Sequence, residues 1–219
     1  MARTLTLPQQ RKEETQARIL EAAYRVFARR GYEAATVEEI TDECGIAKGA
    51  LYTHFGSKEE LFRTILVERV RQRAAETAAR LEPGLPLRES VLRIIEASWA
   101  TCRTDPVWSP LLMEFWAMAG RNEWGRVAVA ELFDHCSAAL AHFFTGAKRA
   151  SLVRPDLDVQ RAARLFLALN DGLVLQCQTQ PDKVTPEEFL GPMADMITGY
   201  LTAENPEVSE TRTGRKSRD

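Results

Sequence analysis

Residues 44–62 read CGIAKGALYTHFGSKEELF, and the fold turns on how they are arranged. On a helical wheel at about 100° per residue, Leu51 and Phe55 fall together and face a core with Ile46. Gly49, Tyr52 and Thr53 fall on the opposite side, Lys48 and Ala50 flank them, and His54 sits near the helix end. The outward face is thus small, aromatic and hydrogen-bonding, with one cation at the helix start. That suits a helix lying in a DNA major groove. Gly49 and Ala50 let the backbone come close, and Tyr52 and Thr53 suit phosphates, base edges or thymine methyls. Lys48 and Lys58 suit phosphate. Gly45 fits the tight turn of a helix-turn-helix, whose second helix is the reader. The wheel alone leaves a second reading open, a plain helical hairpin with a solvated polar face.

Working outward, nearly every segment keeps the 3.6-residue period and nothing alternates as a strand does, so the chain reads as all-α. A polar arm over residues 1–9 precedes a first helix from about Gln10 to Arg30, stopped by Gly31. Short helices fit at about 37–43 and 48–54. Longer ones follow at about 58–80, 87–103, 107–119, 122–146, 158–179 and 186–203, with turns at Pro83-Gly84, Asp105-Pro106, Arg154-Pro155 and Pro181-Asp182. Thr36-Val-Glu-Glu39, Ser57-Lys-Glu-Glu60 and Thr185-Pro-Glu-Glu188 each match a capping box and predict starts at 37, 58 and 186. Gly191-Pro192 predicts a kink or a late start in the last helix. The tail from Glu204 is polar and reads as disordered. The resulting division is a helix-turn-helix module over 10–57, a helical domain over 58–203 and a tail over 204–219.

The segment Thr36-Val-Glu-Glu-Ile40, then Cys44-Gly-Ile-Ala-Lys-Gly-Ala-Leu-Tyr-Thr-His-Phe55, then Ser57-Lys-Glu-Glu-Leu61, resembles the DNA-binding module of TetR-type transcriptional regulators. Ile19-Leu-Glu-Ala-Ala23 and Phe27…Gly31-Tyr32 fit that module's first helix. The resemblance covers about residues 15–62. It implies that Thr36, Lys48, Tyr52, His54 and Lys58 hold phosphates and that Gly49, Ala50 and Thr53 lie against base edges. His54 also reads as a helix-end residue bonded to a carbonyl. Arg3, Arg11 and Lys12 read as a solvated charge run or an arm to DNA. Two positions depart from the family: Ala47 stands where Ser or Thr is usual, and Thr41 where a small apolar residue is usual.

All four tryptophans lie within residues 99–124, among other large apolar side chains. They read either as core or as the lining of a pocket for a mostly apolar small molecule. Trp99, Cys102, Trp108, Leu112, Phe115, Trp116 and Phe133 are the candidate ligand contacts, with Glu114 and Asn122 as further polar candidates. The helix over 107–119 is apolar on nearly every side, which predicts that protein surrounds it. Ala162, Leu165, Phe166, Leu169, Leu173 and Val174 make one apolar stripe. Phe189, Leu190, Met193, Met196, Ile197 and Tyr200 make another. Such stripes fit packing within one chain or a dimer interface. The family resemblance implies the latter, with Leu165, Leu169, Leu173, Met193, Ile197 and Tyr200 as its residues and Asn170, Asp171 and Gly172 at a close helix approach. Two copies of a short reading helix then address a palindromic operator on double-stranded DNA.

Composition narrows the alternatives. Residues 1–80 carry 14 Lys/Arg against 12 Asp/Glu, and the rest 15 against 19, so the chain is not a generic polycation. The four cysteines are widely spaced in apolar stretches, as expected of free thiols in a reducing compartment. No secretory leader and no membrane-spanning apolar run is read, so the expected place is the cytoplasm, with no membrane partner. There is no P-loop, G-x-G-x-x-G, G-x-S-x-G or H-E-x-x-H, and His135 and His142 sit seven apart, a poor metal spacing. No catalytic constellation, cofactor or metal is expected. The sequence reads as a dimeric, ligand-responsive DNA-binding repressor, with a helical small-molecule-binding protein lacking a DNA role as the alternative.

Overall fold

In the computed structural model, residues 6–79, 81 and 84–203 are described, without the side chains of residues 101 and 102. The disorder expected of the tail, the arm residue Arg3 and the side chain of Cys102 therefore lie outside the described residues. Within them the secondary structure is nine α-helices: α1 (Leu7–Ala34), α2 (Val37–Cys44), α3 (Lys48–Phe55), α4 (Lys58–Ala79), α5 (Leu87–Thr104), α6 (Trp108–Met118), α7 (Glu123–Arg149), α8 (Val159–Thr179) and α9 (Pro186–Thr202).

Local chemistry accounts for the helix ends. The Thr36 box is complete: its hydroxyl accepts from the Glu39 amide at 3.2 Å, and Glu39 Oε2 accepts from the Thr36 amide at 2.9 Å. Ser57 caps α4 by accepting from the Glu60 amide, but the Glu60 carboxylate pairs with Arg63 rather than closing a box. Thr185 differs again, donating its hydroxyl to the Glu188 carboxylate at 3.0 Å. The first helix starts at Leu7, three residues before the predicted Gln10. Its entry is fixed because Gln9 Oε1 accepts from the Thr6 amide and Pro8 falls in the first turn, where a missing N–H is harmless. Of the kink or late start expected at Gly191-Pro192, the late start does not occur, and α9 begins at Pro186 as its capping sequence predicts. Helix runs from Pro186 through Pro192, and the Glu188 carbonyl that loses its partner belongs to an exposed residue.

Two compact units result. One comprises the chain up to Val70 together with residues 110–132; the other comprises 71–109 and 133 onward. The helices α4, α6 and α7 each contribute to both units. In the first unit the core is built on Phe27, Leu51, Phe62, Leu66, Leu111 and Phe115, all fully buried. The Phe62 ring meets Phe27 edge-on at 5.2 Å, stacks on Tyr32 at 4.4 Å and meets Phe115 edge-on at 5.6 Å. Those aromatic contacts fasten α1 and α4 to α6. In the second unit, α5, α8 and α9 pack around Val91, Ile95, Trp99, Phe144, Phe166, Met193 and Ile197.

By length and hydropathy α7 is apolar enough to cross a membrane. Its charges nonetheless form side-chain pairs within the fold, Glu131 with Arg63 and Asp134 with Arg164.

Candidate nucleic-acid interface

The turn between α2 and α3 depends on Gly45. Its φ of 71° and ψ of 40° are left-handed, and its amide donates to the Thr41 carbonyl at 2.8 Å. The next amide, of Ile46, returns to the same carbonyl at 3.1 Å. Those bonds satisfy the end of α2 and turn the chain directly into α3. Thr41, the polar departure, is buried, and its hydroxyl donates to the Glu38 carbonyl at 3.0 Å, so its burial is compensated.

The two sides of α3 separate as the wheel predicts. Leu51 and Phe55 are buried, whereas Lys48, Gly49, Tyr52 and Thr53 are exposed and Ala50 is half-buried. Tyr52 leaves 42% of its surface open, unusual for an aromatic side chain on a helix of eight residues. A Cβ added at Gly49 meets nothing within 4 Å, so the backbone is bare there and can approach another surface closely. The Thr53 hydroxyl donates to the Gly49 carbonyl at 2.9 Å, which leaves its oxygen free to accept from a base amino group and its methyl free to meet a thymine methyl. Ala47 stands at the N-cap with no side-chain bond, so no side chain caps the first amides of α3, and the Ala50 amide turns back to the Ala47 carbonyl at 2.9 Å.

The cations are more constrained than the sequence suggests. Lys48 pairs with Glu38 across the turn. That partner holds the Lys48 pKa above its ordinary value and the Glu38 pKa below it. The Lys58 side chain turns inward. Its ammonium donates to the Ala35 carbonyl at 2.7 Å and lies 4.5 Å from the centre of the Tyr32 ring. Burial there pushes its pKa down. Closing off the end of α1 takes that charge, and no local pattern in the sequence announces it. Thr36 is exposed, with its hydroxyl at Glu39. His54 is half-buried, with Nδ1 enclosed and making no hydrogen bond to the described residues.

Residues 19–65 match the family of bacterial regulatory proteins described as the tetR family, and residues 86–202 match the C-terminal domain of BetI-type transcriptional repressors. The chain belongs to the TetR family of transcriptional regulators. It is 31% identical over 180 residues to the probable HTH-type transcriptional regulator ArpR of Pseudomonas putida, covering 78% of this chain and 84% of that protein. The HTH-type transcriptional regulator TtgR, also from Pseudomonas putida, is 30% identical with the same coverage. The solved structure of Salmonella enterica GusR superposes with a TM-score of 0.71 at 28% identity, covering 91% of this chain and 99% of that one. As a TetR-family regulator the chain is all-helical with an N-terminal helix-turn-helix, as its sequence predicts.

The candidate ligand contacts divide between the two units of this TetR-family chain. Leu112, Phe115 and Trp116 belong to the first, where Phe115 fills the core against Phe62. Trp99, Trp108 and Phe133 belong to the second. There Trp99 is core, and Trp108 is covered by the Arg73 guanidinium 4.0 Å from its ring centre, with Arg73 also paired to Asp105. Glu114 accepts from a backbone amide within the first unit, and Asn122 caps α7 by accepting from the Gly125 amide at 2.7 Å. His135 lies 2.9 Å from an Arg71 nitrogen.

Of the residues expected at a dimer face, Leu165 and Leu169 on α8 leave 44% and 41% of their surfaces open. Met193 and Ile197 are buried in the second unit's own core, and Leu173 and Tyr200 pack against it half-buried. What α9 leaves open is Met196, at 63%.

Proposed function

We propose that this TetR-family regulator is a dimeric repressor that holds a palindromic operator through α3 and is released by a mostly apolar small molecule. The observation that carries the reading is the split of α3 into a buried Leu51/Phe55 side and an open Lys48/Gly49/Tyr52/Thr53 side. A helix made only for packing has no use for a bare glycine beside an exposed tyrosine. Lys48 and Tyr52 serve phosphates, together with the first-turn amides of α3, while Gly49, Ala50 and Thr53 face base edges. Thr36 and His54 flank that surface.

Pairing of two chains is supported by the open apolar side of α8 and α9, with Leu165, Leu169, Leu175 and Met196. A single reading helix makes too few contacts for specific binding, whereas two spaced about 34–36 Å apart read both halves of a palindrome. The match to a BetI-type repressor domain supports repression and an effector site in the C-terminal domain. Effector binding lowers operator affinity if the ligand prefers the geometry that fits DNA poorly. A preference of about 1–3 kcal/mol gives about 5–150-fold release. The helix α4, which contributes to both units, is the route. The protein works in the cytoplasm, where its operator is.

The test is selection of bound DNA from a random pool at a stated salt concentration, followed by binding of the recovered site to the Tyr52→Ala variant. A recovered palindrome and a loss of affinity in the variant support the reading. Recovery of no consensus sequence refutes it.

A further inference from the structure

The helix-turn-helix carries more negative charge than positive. Residues 36–55 hold four carboxylates, Glu38, Glu39, Asp42 and Glu43, against one ammonium, Lys48. Two of the four are taken up within the head: Glu39 by the Thr36 cap and by Arg30 at 3.3 Å, Glu43 by Arg25 at 2.9 Å and Arg29 at 2.7 Å. Glu38 is not turned inward. It stands in the first turn of α2 with its side chain 62% exposed, and its Oε1 accepts from the ammonium of Lys48, the first residue of α3. That bond keeps the carboxyl below its ordinary range, so Glu38 is charged at neutral pH. An anion therefore sits beside the start of the reading helix, the end whose side chains meet base edges.

A carboxylate so placed has few partners on DNA. It only accepts, so phosphate oxygens repel it, as do guanine O6 and N7 and thymine O4. Two donors face the major groove, cytosine N4 and adenine N6. Adenine sets the acceptor N7 beside its donor. An anion meets that pair unfavourably, whereas an amide matches both atoms. Cytosine has no acceptor there.

We infer that Glu38 is a specificity-determining residue: with Lys48 on one oxygen, its carboxylate accepts from the N4 amino group of one cytosine in each half of the operator. Lys48, held on the same carboxylate, meets the adjoining phosphate. The acid penalises every register that sets it against a phosphate or a base acceptor, so it rejects wrong sites as well as choosing the right one. The inference rests on the reading of α3 as the DNA-reading helix, and it adds one base and the residue that selects it.

The test uses the full-length protein as wild type, Glu38→Gln and Asp42→Asn. Asp42 is exposed one turn along α2, and Lys48 pairs with Glu38 rather than with it, so Asp42→Asn removes the same charge as a control. Each protein selects duplexes from a random pool at one stated salt concentration. The recovered site is then remade with each other base at the cytosine. Wild type is expected to recover cytosine at one symmetry-related pair of positions and to prefer it by about tenfold. Glu38→Gln loses that preference and shifts it toward adenine, whose N6 and N7 a glutamine amide pairs with. Asp42→Asn keeps the cytosine, and melting curves confirm that both variants fold. A wild-type consensus without such a cytosine, the same cytosine selected by Glu38→Gln, or its equal loss in Asp42→Asn overturns this inference and leaves the operator reading standing. A wild-type pool with no consensus refutes the operator reading and this inference with it.

Discussion

The Glu114 carboxylate on α6 accepts a hydrogen bond from the backbone amide of Tyr32 at 2.7 Å. Tyr32 follows Gly31, which breaks α1 with φ 74° and ψ 165°. A side chain at Gly31 would put its Cβ 3.0 Å from Glu114 Oε1. One carboxylate thus satisfies an amide that the broken helix leaves unpaired and ties the DNA-binding head to α6.

Glu114→Ala leaves the amide of buried Tyr32 without a partner. A loss of about 1–3 kcal/mol in stability is expected, while Glu114→Gln, which keeps an acceptor, retains most of it. Gly31→Ala forces a side chain into backbone geometry reserved for glycine and costs about 1–3 kcal/mol. Urea unfolding of the three variants checks this. Wild-type stability in Glu114→Ala would show the bond to be idle.

Tyr52→Ala is expected to weaken operator binding while leaving unfolding within about 0.5 kcal/mol of wild type, since its side chain supports no core. Its neighbour behaves oppositely: Leu51→Ala removes a fully buried side chain and costs about 2–5 kcal/mol of stability. Fluorescence anisotropy on labelled operator and thermal unfolding separate the two outcomes.

Lys48 and Lys58 differ in what they hold. Lys48→Gln is expected to flatten the dependence of log affinity on log salt by about 0.9 for each phosphate the ammonium no longer neutralises. Lys58→Met leaves that slope unchanged and instead costs about 1–3 kcal/mol of stability, because the charged hydrogen bond to Ala35 and the packing of the ammonium on Tyr32 both disappear. A salt slope that falls in Lys58→Met would return Lys58 to the DNA surface.

Ala47→Ser supplies the missing cap of α3. A gain of about 1 kcal/mol in stability is expected, with looser operator binding because the serine oxygen takes an amide that a phosphate would use. Unchanged or tighter binding would mean that no phosphate uses those amides.

Asp171 sets a pH dependence of definite sign. Its folded pKa, about 6, lies above the ordinary 3.8, so the native state binds the proton more tightly than the unfolded chain does. The burden of the buried charge is fully present above about pH 6, shrinks as pH falls through that range and is gone below about pH 4. Asp171→Asn is therefore expected to be more stable than wild type at pH 7, by up to about 3 kcal/mol, and nearly equal to it at pH 4. Unfolding curves at both pH values check the difference.

Local chemistry made much of this protein readable from sequence. Helix starts follow from Thr36 and Ser57, which cap with their own oxygens, and the turn follows from Gly45, whose left-handed backbone needs no distant partner. The buried and open sides of α3 follow from 3.6-residue spacing over eight residues. Tertiary structure alone decided which long side chains were already engaged. The Lys58 ammonium turns to a carbonyl 23 residues away, and Glu114 to an amide 82 residues away. It also decided that Met193 and Ile197 face their own core while Met196 stays open. The physical reason is range: capping and periodicity act within one or two turns, whereas the partner of a buried charge or the cover of an apolar stripe is chosen only when distant helices meet.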